Sequence, residues 1–423
     1  MLSDWRSRAG EWLGRVFQTS HVPDYGPLCI LPWIHAHVET TGDVGLCCVA
    51  RGAGQRLGNV HDESLTQIFH SQNMSSTRNQ MLAGAWPEEC SACRDRELLG
   101  VESYRKSSNK AHPNHFQELS AEQGSYQPKI RSIDIRLNNV CNFKCRSCHG
   151  FASNRWFSEH NLIYPENQIS AKYQGFDKLQ SFWDDFDRHI LKDLDEIHLA
   201  GGEPLITDAH YHLLEKLIAA GKTNVALQYD TNLSQLTFKH WDAVALWRKF
   251  PNLQISMSLD GTGAKGEYIR EGLNYRDWLK NVDRIQRELP HAKRNLHFVV
   301  SIFNVVDFPA HYREILDANC VDASRIALTF LEWPEFLNAQ VLKPEIKFQV
   351  EADLRNLLTS GIELPARMRK QIDALIVFLH EKDLYPVHGA AFSIKTKLLD
   401  QTRGQNASEL FPALRPMLGD NDL

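Results

Sequence analysis

Three cysteines in one short loop, Cys141-Asn-Phe-Lys-Cys145-Arg-Ser-Cys148, constrain this chain more than any other stretch of its 423 residues. The C-x3-C-x2-C run puts three thiolates on a single loop, close enough to grip three corners of a [4Fe-4S] cube. A cube has four irons, so one is left without a protein ligand. An open position on a metal is where chemistry happens, by the logic that makes an open zinc position catalytic. Structural zinc is the plainer alternative, but zinc sites usually assemble C-x2-C pairs into four ligands. A disulfide framework fits a secreted chain better than this one.

The neighbouring patterns agree with a ligand site. Lys129–Leu137 alternates like a half-buried strand and runs straight into the cysteine loop. About fifty residues on, Asp195–Ala200 reads as a second strand, followed by Gly201-Gly202-Glu203-Pro204-Leu205. Two glycines let backbone approach a ligand closely, and a carboxylate beside them suits an ammonium group. Val225–Asn232, ending Tyr-Asp-Thr-Asn, and Leu253–Gly261, ending Ser-Leu-Asp-Gly, read as the next strands.

The cysteine loop, the Gly-Gly-Glu-Pro turn, the Thr-Asn strand end and the Ser-Leu-Asp-Gly strand together resemble the radical S-adenosylmethionine (SAM) superfamily. The resemblance implies that Cys141, Cys145 and Cys148 hold a [4Fe-4S] cluster whose open iron is chelated by SAM. An electron from that cluster would cleave SAM to a 5′-deoxyadenosyl radical. It further implies that Gly201, Gly202, Glu203 and Pro204 hold the methionine amino group, and that Asn232 closes the following strand. Ser258 and Arg270 would contact the SAM carboxylate, for which a guanidinium fork is chemically suited; the plainer reading of Arg270 is a solvated charge at a helix start. Asn304 and Leu331 would line the adenine. Ser147 departs from the family, which carries a large apolar residue just before the third cysteine, and this puts packing against the adenine face in doubt.

A second set of cysteines lies upstream. Cys29-Ile-Leu-Pro-Trp33 precedes a hairpin, Ile34–Thr41 turning at Gly42-Asp43 into Val44–Val49, which carries Cys47-Cys48. Gly58-Asn59-Val60, an amphipathic helix near Ser64–Leu82 and Cys90-Ser-Ala-Cys93 follow. This order resembles the cluster-binding "twitch" half of a SPASM domain, set here ahead of the barrel. It implies a second [4Fe-4S] cluster on Cys29, Cys47, Cys90 and Cys93, with Cys48 possible in place of Cys47. A closed four-ligand cluster, an open three-ligand cluster and structural zinc all stay open at this point. Cys320 reads as a core thiol. His35 and His37, alternating on the hairpin, read as solvated surface.

From 129 to 335 strand and helix patterns alternate, with strands near 130, 195, 224, 253, 296 and 325. The expected fold is α/β: a partial (β/α)6 barrel, a small N-terminal hairpin-and-helix cluster domain, and C-terminal helices, with ligands at the C-terminal ends of the strands. The expected divisions are a leader over 1–26, the twitch domain over 27–105, a polar linker over 106–128, the barrel over 129–335, a helical region over 336–402 and a flexible tail over 403–423. A net charge of -5 leaves no electrostatic footprint for nucleic acid. No apolar run approaches the roughly 18 residues of a membrane span. The first residues mix apolar and charged types unlike an export signal, and eight of the nine cysteines fall in clusterable spacing, which points to a reducing cytoplasm.

The implied function is hydrogen abstraction by the SAM-derived radical. The first expectation is a two-electron oxidation of a small metabolite or sugar-like substrate, with the auxiliary cluster as electron acceptor. The alternative is a peptide- or protein-modifying maturase that crosslinks, epimerises or oxidises, and a non-catalytic iron-sulfur scaffold is a remote third. The partners implied are the small-molecule or peptide substrate and a reductase such as flavodoxin or ferredoxin. Arg136, His198, Asp230 and Glu332 are the candidates for groups facing the substrate, none singled out as base. The plain readings are that His198 is satisfied by backbone and that Arg136 pairs with Asp230.

Overall fold

The computed structural model describes residues 26–98, 100, 102–122 and 125–419; all but the last residue of the expected leader lies outside them. Three strands belong to the N-terminal region: β1 (His35–Val38), β2 (Asp43–Gly45) and β3 (Gly58–Asn59). Six follow the cysteine-rich segment: β4 (Ser132–Ile135), β5 (Glu196–Leu199), β6 (Ala226–Thr231), β7 (Leu253–Ser258), β8 (Lys293–Val300) and β9 (Ile326–Phe330). They form one sheet in the order β9-β8-β7-β6-β5-β4-β1-β2-β3. Strands β4 to β9 are all parallel, each joined to the next through helical crossovers, as the alternating pattern predicts.

Alternation along these strands separates two faces. Along β6 and β7 every second residue is buried: Leu227 and Tyr229, then Leu253, Ile255 and Met257. These apolar residues share one core with Leu213, Leu214, Trp247, Trp278 and Ile285 of the crossover helices. The Tyr275–Glu288 helix shows how this arises: Trp278, Val282 and Ile285 recur at helical spacing, and Asn274 caps the first turn by accepting from the Asp277 amide at 3.0 Å. The opposite face carries polar residues and forms the lumen. In register across it stand His37 of β1, Asp134 of β4, His198 of β5, Gln228 of β6 and Gln254 of β7.

The expected N-terminal hairpin is present, and it continues the barrel wall because β1 pairs in parallel with β4. Two expectations are corrected. The helix expected over 64–82 is two, Leu65–Phe69 and Gln72–Leu82, each started by its own serine cap at Ser64 and Ser71. The polar linker is helical over Tyr104–Ala111 and Pro113–Glu122. Its polar side chains are spent on backbone: Arg105 Nη1 and Asn109 Nδ2 donate to the Leu28 carbonyl at 2.8 and 3.0 Å, and Asn109 Oδ1 accepts from the Ile30 amide at 2.9 Å. These bonds fix the turn that carries Cys29.

The expected flexible tail is also ordered as far as it is described. Helices Pro344–Thr359, Ala366–Glu381 and Tyr385–Arg403 are followed by short turns through Leu418. Ala407, Phe411, Leu414, Met417 and Leu418 are buried in the main core, which explains why the segment holds its place. Cys320 is a buried core thiol, as expected. Among the described residues no helix is long and apolar enough to cross a membrane.

Candidate functional site

The three-cysteine loop leaves the C-terminal end of β4 and is held at many points. Asn139 Nδ2 donates to the Gly150 and Lys172 carbonyls at 3.0 and 3.1 Å, and Ser153 Oγ donates to the Phe143 carbonyl at 2.7 Å. Lys144 and Cys145 pair antiparallel with Glu271 and Arg270. Donors point at the sulfurs: the Phe143 amide lies 3.4 Å from Cys141 Sγ, and Arg270 Nη1 lies 3.8 Å from Cys145 Sγ. Burial pushes the Cys148 thiol up to about 12, and the nearby Cys145 adds to it. Burial likewise raises Cys141, with Cys145 and Cys148 contributing. Three mutually repelling thiols in a dry loop are poor bare anions, and a bound metal centre resolves that conflict by taking up the charge. All nine cysteines are free. Among the described residues no three His, Cys, Asp or Glu side chains converge as for a single ion. A cube, with ligands spread over several irons, asks for wider spacing than a zinc atom bound at about 2.3 Å.

The Gly-Gly-Glu-Pro turn follows β5 and lies against this loop. The Gly202 amide donates to the Asn138 carbonyl at 3.1 Å, and the Glu203 amide donates to the Val140 carbonyl at 2.8 Å. A Cβ on Gly202 would stand 2.1 Å from the Val140 oxygen, so this glycine is needed for close approach of the two loops. Glu203 is buried and accepts from Thr231 Oγ1 and the Asn232 amide, each at 2.6 Å, and from the Leu205 amide at 3.1 Å. Burial pushes its carboxyl up to about 7 against those donors. Asn232 in turn donates to Asn142 Oδ1 at 2.9 Å. The turn, the cysteine loop and the end of β6 are therefore one hydrogen-bonded unit.

Arg270 is not a solvated charge at a helix start. It follows the Gly263–Ile269 helix, is buried, and pairs with the buried Asp260 at 2.8 Å. Ser258 ends β7, half-buried on the lumen face beside His297 of β8. Asn304 is fully buried, donating to the Asp260 and Val299 carbonyls at 2.9 and 2.7 Å and accepting from the Ser301 amide at 2.7 Å, so its side chain is committed to the fold. Leu331 follows β9 and is buried; Glu332 beside it is exposed.

The upstream cysteines form a second group. Burial pushes Cys29 up to about 12, with Cys90 and Cys93 adding, and Cys90 likewise to about 12, with Cys93 adding. Cys47 is raised by burial and then by Cys29. Cys48 faces elsewhere: after burial, the groups that act on it are Asp134, Tyr104 and Arg136. Cys47 and Cys90 pack against the buried cluster that contains Cys29, whereas Cys48 is exposed.

Residues 29–94 match the family model of SPASM, described as an iron-sulfur cluster-binding domain. The match spans the upstream cysteines, so the chain carries a SPASM-type module. None of the curated proteins matches in sequence. Among solved structures it is similar to native anSMEcpe with bound AdoMet, at 16% identity and a TM-score of 0.38, covering 54% of this chain and 60% of that one. It is also similar to Streptococcus suis SuiB, at 15% identity and a TM-score of 0.36, covering 68% of this chain and 62% of that one. SuiB bound to precursor peptide SuiA gives 13% identity and a TM-score of 0.34, covering 64% and 58%.

In the barrel lumen, an unbroken line of ionisable groups crosses from the SPASM module into the barrel. Glu39 Oε1 lies 3.0 Å from His37 Nε2, His37 Nδ1 lies 2.9 Å from Asp134 Oδ2, Asp134 Oδ1 lies 3.3 Å from His198 Nδ1, and His198 Nε2 lies 3.1 Å from Asp230 Oδ2. His198 is therefore bridged by carboxylates, not satisfied by backbone. Arg136 pairs with Glu39 at 3.4 Å and Asp134 at 3.6 Å rather than with Asp230. His35 and His37 are buried, bonded to Ser132 and Asp134, and are not solvated surface. Asp134 is the hub, and the alternation of Asp134 on β4 with Arg136 just past its end was the available sign of it.

This line makes stability depend on pH. Burial lowers the His198 imidazole, but Asp134 and Asp230 outweigh it and push it up to about 10 from an ordinary 6.5. A pKa raised on folding stabilises fully below the unfolded value and is lost as pH climbs toward the folded one. Asp134 and Asp230, held low, contribute above the ordinary carboxylate range and lose that contribution in acid. His37, Arg136 and Glu39 share the field, so the expected loss is on the order of a few kcal/mol. Thermal melts of the metal-loaded protein from about pH 7 to about pH 10 should show wild type losing Tm more steeply than His198→Gln. Parallel curves would refute the charge on His198.

Proposed function

We propose that the protein is a radical SAM enzyme that removes a hydrogen atom from a polar substrate in the barrel lumen. The substrate is then oxidised by two electrons in all, the SPASM-module cluster accepting the second. The observation that carries this reading is the β1–β4 pairing, which makes the SPASM module part of the lumen wall and puts its His37 and Glu39 in line with Asp134, His198 and Asp230.

Bound at the mouth, a cluster and SAM supply the radical that starts the chemistry. Cys141, Cys145 and Cys148 would hold that cluster; Gly201 to Pro204, Asn232, Ser258 and Arg270 would hold SAM. Cys29, Cys47, Cys90 and Cys93 would hold the second cluster. Asp230, 43% exposed at the lumen end of the ionisable line, is the group best placed to meet a polar substrate. A low-potential donor of the flavodoxin or ferredoxin class would reduce the first cluster. The peptides named with the similar solved structures belong to those proteins. For this chain they make a peptide side chain the first substrate class to assay and a small polar metabolite the second.

The test is anaerobic reconstitution followed by reduction with dithionite in the presence of SAM. 5′-Deoxyadenosine is the expected product, whereas S-adenosylhomocysteine in its place would mean methyl transfer and sink the reading. With substrate present, Cys93→Ala should still cleave SAM but fail to oxidise the substrate. Unchanged oxidised product from Cys93→Ala would remove the second cluster from the electron path.

A further inference from the structure

The cysteine loop carries charges that the SAM site does not account for. Arg146, between Cys145 and Cys148, has a side chain only 1% exposed. Its guanidinium stacks on Tyr268 at 3.7 Å, and Nη2 donates to Asp400 Oδ1 at 2.5 Å and to Gln405 Oε1 at 2.7 Å. Tyr268 donates its hydroxyl to the same Asp400 oxygen at 2.8 Å, and the Ala407 amide holds the other at 2.7 Å. The partners of a loop residue thus come from the end of the Tyr385–Arg403 helix and the turn behind it, more than 250 positions along the chain.

Three residues after Asp400, the same helix end makes a second contact. Arg403 has a fully buried side chain. Nη1 donates to the carbonyl of Lys144, the residue before Cys145, at 2.9 Å. Nη2 pairs with Glu159 at 2.6 Å and Nε with Glu271 at 2.9 Å, while the guanidinium lies over Trp156 at 5.0 Å. Trp156 Nε1 donates to the Cys145 carbonyl at 2.9 Å. Lys144 Nζ closes the group on Glu159 at 2.6 Å and Glu271 at 3.1 Å. Gly404 lets the chain turn away at once, with φ at 63°. Burying two guanidinium groups against one loop is costly unless each is paired, and here both are. A plain helix-to-barrel contact would need only apolar packing.

We infer that Asp400 and Arg403 are positioning residues for the three-cysteine loop, so that the C-terminal helix is part of the cluster site. Asp400 fixes Arg146, and Arg403 fixes the backbone at Lys144 while keeping a buried cation, paired with Glu159 and Glu271, close enough to act on Cys145. A cation there favours the more negative, reduced state of a bound cluster, because cluster potentials respond to nearby charge and hydrogen bonds. The inference rests on the reading of this loop as the site of the SAM-binding cluster.

The experiment uses full-length reconstituted protein and the one electron paramagnetic resonance signal that changes on adding SAM, which only a cluster with an open iron gives. Arg403→Gln is expected to shift the potential of that signal to more negative values and to leave the signal of the second cluster unmoved. Arg403→Lys, which keeps the charge, should restore most of the potential. A wild-type potential in Arg403→Gln would overturn the inference. Should that variant fail to fold, Asp400→Asn decides: a weakened SAM-responsive signal with the second cluster intact supports the inference, and an unaltered one overturns it. If wild type itself gives no SAM-responsive signal, it is the reading of the loop that has failed, not the positioning by Arg403.

Discussion

Replacing Cys141, Cys145 and Cys148 together by alanine is expected to abolish 5′-deoxyadenosine formation while leaving about four irons per chain in the SPASM module. The separation follows from geometry. Cys141, Cys145 and Cys148 pack against the main core, while Cys29 is buried in a separate cluster against which Cys47 and Cys90 pack. The loop's fixings come from β5, from the Arg270 strand and from the C-terminal helix, while the Cys29 turn is held by Arg105 and Asn109. Iron and sulfide assays with mass spectrometry of the nucleoside products check both halves. About one zinc and no iron in the variant would make the SPASM module a structural platform. The electron-acceptor role would then fall, and redox-neutral chemistry would replace oxidation as the expected outcome.

Local pattern made the barrel legible. Each of β4 to β9 alternates or runs apolar within a few residues of where the pattern put it, and each motif sits at a strand end because its turn residues mark that end. What escaped were features whose cause lies far along the chain. His37 meets Asp134 across 97 positions, and nothing within the hairpin marks it as buried. Arg403 is an ordinary basic residue near a helix end until Glu159 and the Lys144 carbonyl come to it. The Tyr104–Ala111 helix buries Arg105, Ser108 and Asn109, polar residues that give no apolar stripe to detect. The last segment did carry a sign: Ala407, Phe411, Leu414 and Leu418 recur at helical spacing, and its glycine, asparagine and proline content obscured it. The choice between Cys47 and Cys48 needed side-chain direction, which adjacency in sequence cannot supply.

Gly202→Ala is expected to empty the three-cysteine site of iron although it touches no ligand. A Cβ at this position would stand 2.1 Å from the Val140 carbonyl oxygen and 2.6 Å from its carbon. Both are backbone atoms, so no side chain can swing aside. The two loops must part, and the bonds from the Gly202 and Glu203 amides to Asn138 and Val140 go with them. Glu203 would then lose its register with Thr231 and Asn232, and with it the tie to Asn142 inside the cysteine loop. Overpacking against fixed backbone costs about 3 kcal/mol or more. Gly221→Ala is the control: its φ of 68° imposes a backbone strain that Gly202 does not carry, yet nothing lies within 4 Å of the new methyl. That variant should lose only about 1 to 2 kcal/mol and keep both clusters. Iron per chain and SAM binding by calorimetry distinguish the pair. If Gly202→Ala retained full iron and bound SAM as tightly as Gly221→Ala, the close apposition of the two loops would be irrelevant to the site.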